Sequence, residues 1–146
     1  MSGYLLDTNI VSNLVRPVPS APLLDWIAAQ EDATLFIAAV TLGEIRRGIL
    51  QMPVVQKRTR LDDWFSGNKG PAATFADRIC PFDQEAALIW AVLMAEGRAI
   101  GRPRDAIDMM IAAIAQVRGF VIVTDNERDF AGLGFINPLR QGTEAP

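Results

Sequence analysis

The sequence predicts an α/β fold in which a central, mostly parallel sheet is flanked by helices. Two apolar runs carry the prediction. Tyr4-Leu5-Leu6 stops at Asp7-Thr8-Asn9, and near the other end Phe120-Val121-Ile122-Val123 stops at Thr124-Asp125-Asn126. Short runs of large and β-branched apolar residues, closed by polar turn formers, mark strands buried on both faces of a parallel sheet. Between them strand-like and helix-like segments alternate, the pattern of βαβ units. Half of the 146 residues are hydrophobic, enough for one globular domain with its own core.

The elements follow in order. After the first strand, Thr8 to Val15 reads as a short helix stopped before Pro17. Ser20 caps a helix to about Gln30, with Leu23, Leu24 and Ile27 inward. Leu35-Phe36-Ile37-Ala38 is a second strand, and Thr41 opens a helix to about Gln51, with Pro53 beyond it. Val54 to Phe65 is amphipathic, Gly67 to Gly70 is a loop, and Pro71 suits the first turn of another helix. Pro81-Phe82 reads as a short strand before a helix capped by Asp83 and running to about Glu96. Gly97 to Pro103 turns into the helix that contains Asp108 and ends at Gly119. The last strand and a short helix near Asp129 close the domain, taken as residues 1–140, with 141–146 as a flexible tail.

Composition narrows the chemistry. With no histidine, Ser-His and Cys-His nucleophile pairs and His-ligated zinc are excluded. Lys57 and Lys69 are the only lysines, and no glycine-rich phosphate loop opens a helix. Cys80 has no partner for an internal disulfide. No apolar run is long enough to span a bilayer and no basic, hydrophobic leader opens the chain, so the expected compartment is the cytoplasm. The net charge of −3 gives no general basic surplus for nucleic acid. A nucleic-acid role must then use local patches, either Arg46, Arg47, Lys57, Arg58 and Arg60 or Arg98, Arg102 and Arg104, or cations bridging to phosphate; solvated helix faces explain the patches equally well.

Carboxylates remain. Ligands of open α/β sheets sit beyond the carboxyl ends of the strands, where Asp7 falls. Asp108 precedes Met109-Met110-Ile111-Ala112-Ala113-Ile114-Ala115, apolar all round, where an unpaired charge is costly. It needs a cation, a donor or a wet cleft; alternatively it caps the helix or pairs with Arg104. Asp105 reads as a structural residue at the helix start. Thr41-Leu42-Gly43-Glu44 spells a capping box, a structural role for Glu44. Yet that helix follows the second strand, so Glu44 lies on the same edge as Asp7. Carboxylates gathered at one edge repel unless a cation joins them, and oxygen-only ligation suits Mg²⁺ or Mn²⁺.

Taken together, Leu6-Asp7-Thr8-Asn9, Thr41-x-x-Glu44, Asp108-x-x-Ile111-Ala112-Ala113-x-Ala115 and Thr124-x-Asn126-x-x-Asp129-Phe130 resemble the PIN-domain ribonucleases, and within them the VapC-type toxins of bacterial type II toxin–antitoxin systems. The resemblance covers roughly Tyr4 to Pro138, in order and spacing. Val15-Arg16-Pro17 and Phe135-Ile136-Asn137-Pro138 further resemble the subgroup named for fast intracellular trafficking. The resemblance implies a PIN-like fold and a metal held by Asp7, Glu44 and Asp108. It makes Asp129 the fourth catalytic acid, ahead of Asp125, which stands where the family often carries a basic residue. Thr8, Asn9, Thr41, Thr124, Asp125 and Asn126 become supporting residues. The implied activity is Mg²⁺- or Mn²⁺-dependent endoribonuclease hydrolysis, with one or two ions, leaving a 5′-phosphate without use of the 2′-hydroxyl. The implied partners are RNA, a second copy in a homodimer and a cognate antitoxin, itself able to bind operator DNA. Val54 to Phe65, with Trp64 and Phe65 beside Arg58 and Arg60, is the surface proposed for the antitoxin unless those aromatics fill the core. The rivals are a non-catalytic PIN-like scaffold binding a protein partner, whose carboxylates would be eroded, and a phospho-aspartate phosphatase, which wants a second Asp where Asn9 stands.

Overall fold

The computed structural model describes residues 2–140, so the tail expected at 141–146 lies outside the described residues. Among the described residues, β1 (Tyr4–Leu6), β2 (Leu35–Ala38), β3 (Ile79–Cys80), β4 (Val121–Val123) and β5 (Phe135–Ile136) form one sheet in the order β3-β2-β1-β4-β5. All four pairings are parallel. The connections supply α1 (Thr8–Leu14), α2 (Ala21–Ala28), α3 (Ala39–Leu50), α4 (Val55–Ser66), α5 (Pro71–Thr74), α6 (Gln84–Ala99) and α7 (Ala106–Arg118).

Successive strand residues point to opposite faces, and each face meets its own layer. Leu5, Phe36 and Ile122 pack with α6 and α7, against Leu93, Met109, Ile111 and Ile114. Leu6, Ile37 and Val123 pack on the other face with Ile10, Val11 and Leu23 of α1 and α2. Leu5 and Leu6 have no exposed surface, and burying one leucine side chain stabilises by about 2 kcal/mol. The middle strand is therefore held from both sides, and its carboxyl end is a fixed point.

Local signals explain most boundaries. Ser20 Oγ accepts from Leu23 N and caps α2, and Asp83 does the same for α6 through Ala86 N. Gly119, at φ 66°, ends α7 in the left-handed conformation. Four expectations need correction. Helix α3 starts at Ala39 rather than Thr41, with Ala38 in the cap position and no side-chain cap bond. Thr41-x-x-Glu44 is thus no capping box, because strand β2 passes straight into the helix. The third strand is Ile79–Cys80, two residues earlier than Pro81-Phe82. The segment around Asp129 is a turn, not a helix, and leads into the closing strand β5. Leu24 faces outward, 43% exposed, because α2 turns Leu23 to the core.

Two glycines give a test of backbone packing. A Cβ on Gly70 would lie 2.2 Å from the Phe65 carbonyl oxygen, whereas one on Gly48, inside α3, would meet nothing within 4 Å. Gly48→Ala should raise stability by roughly 0.5–1 kcal/mol, the ordinary helix gain. Gly70→Ala should lower it, since backbone must move to make room. Thermal melts of both variants check the opposite signs.

Candidate active site

Strand register assembles the edge. Leu6 lies level with Ile37 on one side and Val123 on the other. The residues one step beyond, Asp7, Ala38 and Thr124, therefore leave the sheet side by side. Asp7 N donates to Val123 O at 2.9 Å and Thr124 N to Ile136 O at 3.0 Å, which carries the pairing to the strand ends.

Asp7 is the N-cap of α1, with Oδ1 accepting from Thr8 N at 2.8 Å. Its second oxygen accepts from Thr124 Oγ1 at 2.8 Å. Both carboxylate oxygens are thus oriented, and the residue is only 3% exposed. Thr8 Oγ1 lies 2.6 Å from Glu44 Oε1, to which it donates, and 3.1 Å from Thr41 Oγ1. Thr41, fully buried in the first turn of α3, thereby couples α3 to α1.

Asp108 arrives on the first turn of α7. Asp105 caps that helix by accepting from Asp108 N at 2.9 Å, the structural role expected of it. Helix α6 fixes the approach: Trp90 Nε1 donates to Ala106 O at 2.9 Å and Arg104 Nη1 to Leu93 O at 2.7 Å. Arg104 sits 3.7 Å from Glu96, leaving Asp108 without it. Across from Asp108 stands the turn after β4. Asn126 Nδ2 donates to Asp129 Oδ2 at 2.8 Å and, more loosely, to Asp108 Oδ2 at 3.4 Å. Thr124 Oγ1 accepts from Asn126 N at 2.9 Å, and Asn9 reaches Thr124 Oγ1 at 3.5 Å and Asp125 N at 3.3 Å. Asp7, Glu44, Asp108 and Asp129, with Thr8, Asn9, Thr41, Thr124 and Asn126, therefore share one connected edge. Asp125 points elsewhere: its side chain meets Asn137 Nδ2 at 3.4 Å.

The electrostatics show what this edge lacks. Burial pushes the Asp7 carboxyl up to about 6, against the pull of its bonds to Thr124 and Thr8, and Glu44 adds repulsion. Burial and then the charges of Asp7, Asp105 and Asp129 push Asp108 up to about 7. Among the described residues the salt bridges are Arg46–Asp62, Arg104–Glu96 and Arg140–Glu127, and none reaches these acids. No group of three or more acidic side chains among the described residues converges tightly enough to form a ready-made cage; Glu44 is turned onto Thr8. The donor set is nonetheless oxygen-only, partly dehydrated and short of positive charge, which fits a hard divalent cation.

Two features of the surroundings escape sequence reasoning. Asn137, 1% exposed, lies behind the Thr124–Asp129 turn and bonds Glu127 Oε2 at 2.7 Å; the resemblance around Asn137-Pro138 was the only signal at that position. An apolar pocket of about 250 Å³ opens between α1, α2, α4 and α5, lined by Val11, Leu14, Ile27, Trp64 and Phe75 among others. Trp64 is thus half-buried on a pocket wall rather than a core residue, while Phe65 packs edge-on to it and under Arg46.

A small parallel α/β domain with an acidic, hydroxyl-ordered edge at the carboxyl ends of its strands defines the class, and comparison gives the family. The PIN domain family matches residues 4–136, and the chain belongs to it. The plasmid stability protein StbB of Pseudomonas syringae pv. tomato is 40% identical, over 92% of this chain and 96% of that protein. The VapC ribonuclease Y4jK of Sinorhizobium fredii is 38% identical over the same shares. The toxin FitB of Neisseria gonorrhoeae is 29% identical, over 92% of this chain and 96% of that protein. The crystal structure of FitAcB from that organism superposes with a TM-score of 0.83 at 28% identity, covering 92% of this chain and 97% of that one.

The raised carboxyls make stability fall with pH in the absence of metal. Between the ordinary carboxylate range near 4 and the folded values of about 6 and 7, the folded state holds protons that the unfolded chain has released. The stability of metal-free protein should therefore be highest in mild acid and decline as pH rises to about 7. Asp108→Asn should flatten that decline and melt no lower than wild type at pH 8. Melts from pH 5 to 8 in chelator check it; a wild-type profile rising over that range would contradict the assignment.

Proposed function

We propose that the chain is a Mg²⁺- or Mn²⁺-dependent endoribonuclease and the toxin of a toxin–antitoxin pair. One observation carries the reading: Asp7 and Asp108, distant in sequence, share one edge with raised pKa values and, among the described residues, no salt-bridge partner. Membership of the PIN family and similarity to a protein named VapC ribonuclease support the reaction class.

Asp7 and Asp108, joined by Glu44, would hold the metal, which when bound supplies an activated water and neutralises charge at phosphorus. Thr124 and the Thr8 amide keep Asp7 in one orientation, so the carboxylate does not reorganise when the cation arrives. Thr8 restrains Glu44 near the edge. Asn126 sets Asp129 beside Asp108, on the side where a second cation or a substrate-bound water would be received. In the net reaction water adds to phosphorus and the 3′ oxygen leaves, giving a 5′-phosphate and a 3′-hydroxyl. The 2′-hydroxyl takes no part, so preference for RNA comes from shape and single-stranded access.

The test is cleavage of a mixed structured RNA pool. Wild type should cut in Mg²⁺ or Mn²⁺ and stop in chelator. Calcium should bind but support little turnover, because its longer, looser coordination holds water and phosphate less well. Asp7→Asn and Asp108→Asn should reduce cleavage to background while remaining folded. A wild-type rate in either variant, or equal rates in calcium and magnesium, would refute this centre.

The toxin reading also assigns partners. The antitoxin would place an apolar side chain in the 250 Å³ pocket beside Trp64 and a cationic one against the acidic edge, where it replaces metal. A homodimer and a cytoplasmic setting belong to the same reading; no helix among the described residues is long and apolar enough to cross a membrane. Co-expression with the gene immediately upstream should yield a soluble, inactive complex whose inhibition weakens as Mn²⁺ is raised. Inhibition indifferent to metal would remove the cationic side chain from the model of inhibition.

A further inference from the structure

The turn after β4 has two sides. Asn126 and Asp129 face the acidic edge, while Asp125 and Glu127 face a buried amide. That amide is Asn137, one residue past β5 and 1% exposed. Its Nδ2 donates to Glu127 Oε2 at 2.7 Å and to Asp125 Oδ1 at 3.4 Å. Its Oδ1 accepts from Leu139 N at 3.1 Å, so every polar atom of the side chain is engaged. Arg140 completes the clamp on Glu127 at 2.5 Å, and the two donors hold the Glu127 carboxyl below its ordinary range.

We infer that Asn137 is a positioning residue for the nuclease centre: it fixes the Thr124–Asp129 turn from behind, and so sets where Asn126 and Asp129 meet Asp108. This rests on the nuclease reading above. Strand pairing holds the turn only at its start, through Thr124 N to Ile136 O. Beyond that point the backbone carries no strand partner, and Asn126 N bonds only to a side chain, Thr124 Oγ1. Among the described residues, the Asn137 amide and the Arg140 guanidinium are the groups that reach back to the turn from the far side of β5. A buried amide suits the task, since it donates to two carboxylates without adding a charge that must be desolvated.

The experiment uses the full chain and reads Mn²⁺ affinity alongside steady-state cleavage of an RNA oligonucleotide, well below the melting temperature. Asn137→Asp sets a third carboxylate against Asp125 and Glu127 and removes the donor. It should lower kcat and Mn²⁺ affinity by about 10–100-fold, the usual effect of losing a group that orients metal ligands, with KM for RNA nearly unchanged. Glu127→Gln keeps the acceptor oxygen and should behave as wild type. Asn137→Asp combined with Glu127→Gln reverses the direction of the hydrogen bond and should recover both readouts. If Asn137→Asp does not fold, Glu127→Ala decides, because it breaks the same bond from a partly exposed position. Variants that lose thermal stability but bind Mn²⁺ and turn over like wild type would overturn the inference, as would a loss that the double substitution does not recover. Wild-type protein that neither binds Mn²⁺ nor cleaves RNA would bring down the nuclease reading, and this inference with it.

Discussion

The structure depends on keeping a carboxylate buried at the end of its middle strand. Asp7 cannot retreat to solvent: β1 is packed on both faces, and the chain enters α1 through the same residue. An ionised carboxylate in that position costs several kcal/mol unless its oxygens are met. The fold meets them with neutral donors, a backbone amide and the Thr124 hydroxyl. These orient the group without neutralising it, and burial still prevails in raising its pKa. A lysine or arginine there would have made a stable, inert ion pair. On the proposed reading, leaving the deficit uncorrected is what would keep the edge receptive to a cation from solution.

The same economy extends outward. Several basic side chains are engaged away from the edge: Arg104 holds the Leu93 carbonyl and Glu96, Arg46 faces Asp62, and Arg78 ties the carbonyls of Asp32, Leu35 and Thr74. Threonine and asparagine do the work within the edge, linking α1, α3 and the β4 turn through Thr8, Thr41, Thr124, Asn9 and Asn126. Such links set positions but add no charge.

Legibility in the sequence followed the physics of each feature. Strands β1, β2 and β4 were visible because a strand buried on two faces must be continuously apolar, and α7 because its apolar circumference admits only a buried helix. The two-residue strands β3 and β5 are too short to show a period, so the first was misplaced and the second missed. Thr41 misled for a clear reason. Its spelling with Glu44 suits a cap, but the hydrophobic continuity of β2 into α3 moved the helix start two residues earlier. Both hydroxyl and carboxylate then became free to meet Thr8. Asp108 stood out because a charge is conspicuous beside an apolar helix, Asp7 and Glu44 because they follow buried strands, whereas exposed Asp129 was marked only by the family resemblance. Asn137 was not, since nothing local reveals that a lone asparagine after an apolar pair will be sealed beneath a turn.

As the nuclease proposed above, a chain of net charge −3 would have to engage a polyanion. Its surface offers no general attraction for phosphate, and the acidic edge repels it while Asp7, Glu44, Asp108 and Asp129 stay uncompensated. On the proposed reading metal and substrate binding would be linked: a cation held by Asp7 and Asp108 would remove repulsion that the RNA otherwise meets. The protein's own contribution to such a site would be a carboxylate already fixed in direction, Asp7. On this view the electrostatic strain at the edge is the source of selectivity for metal-bearing substrate, and an antitoxin needs only one well-placed cation to exploit it.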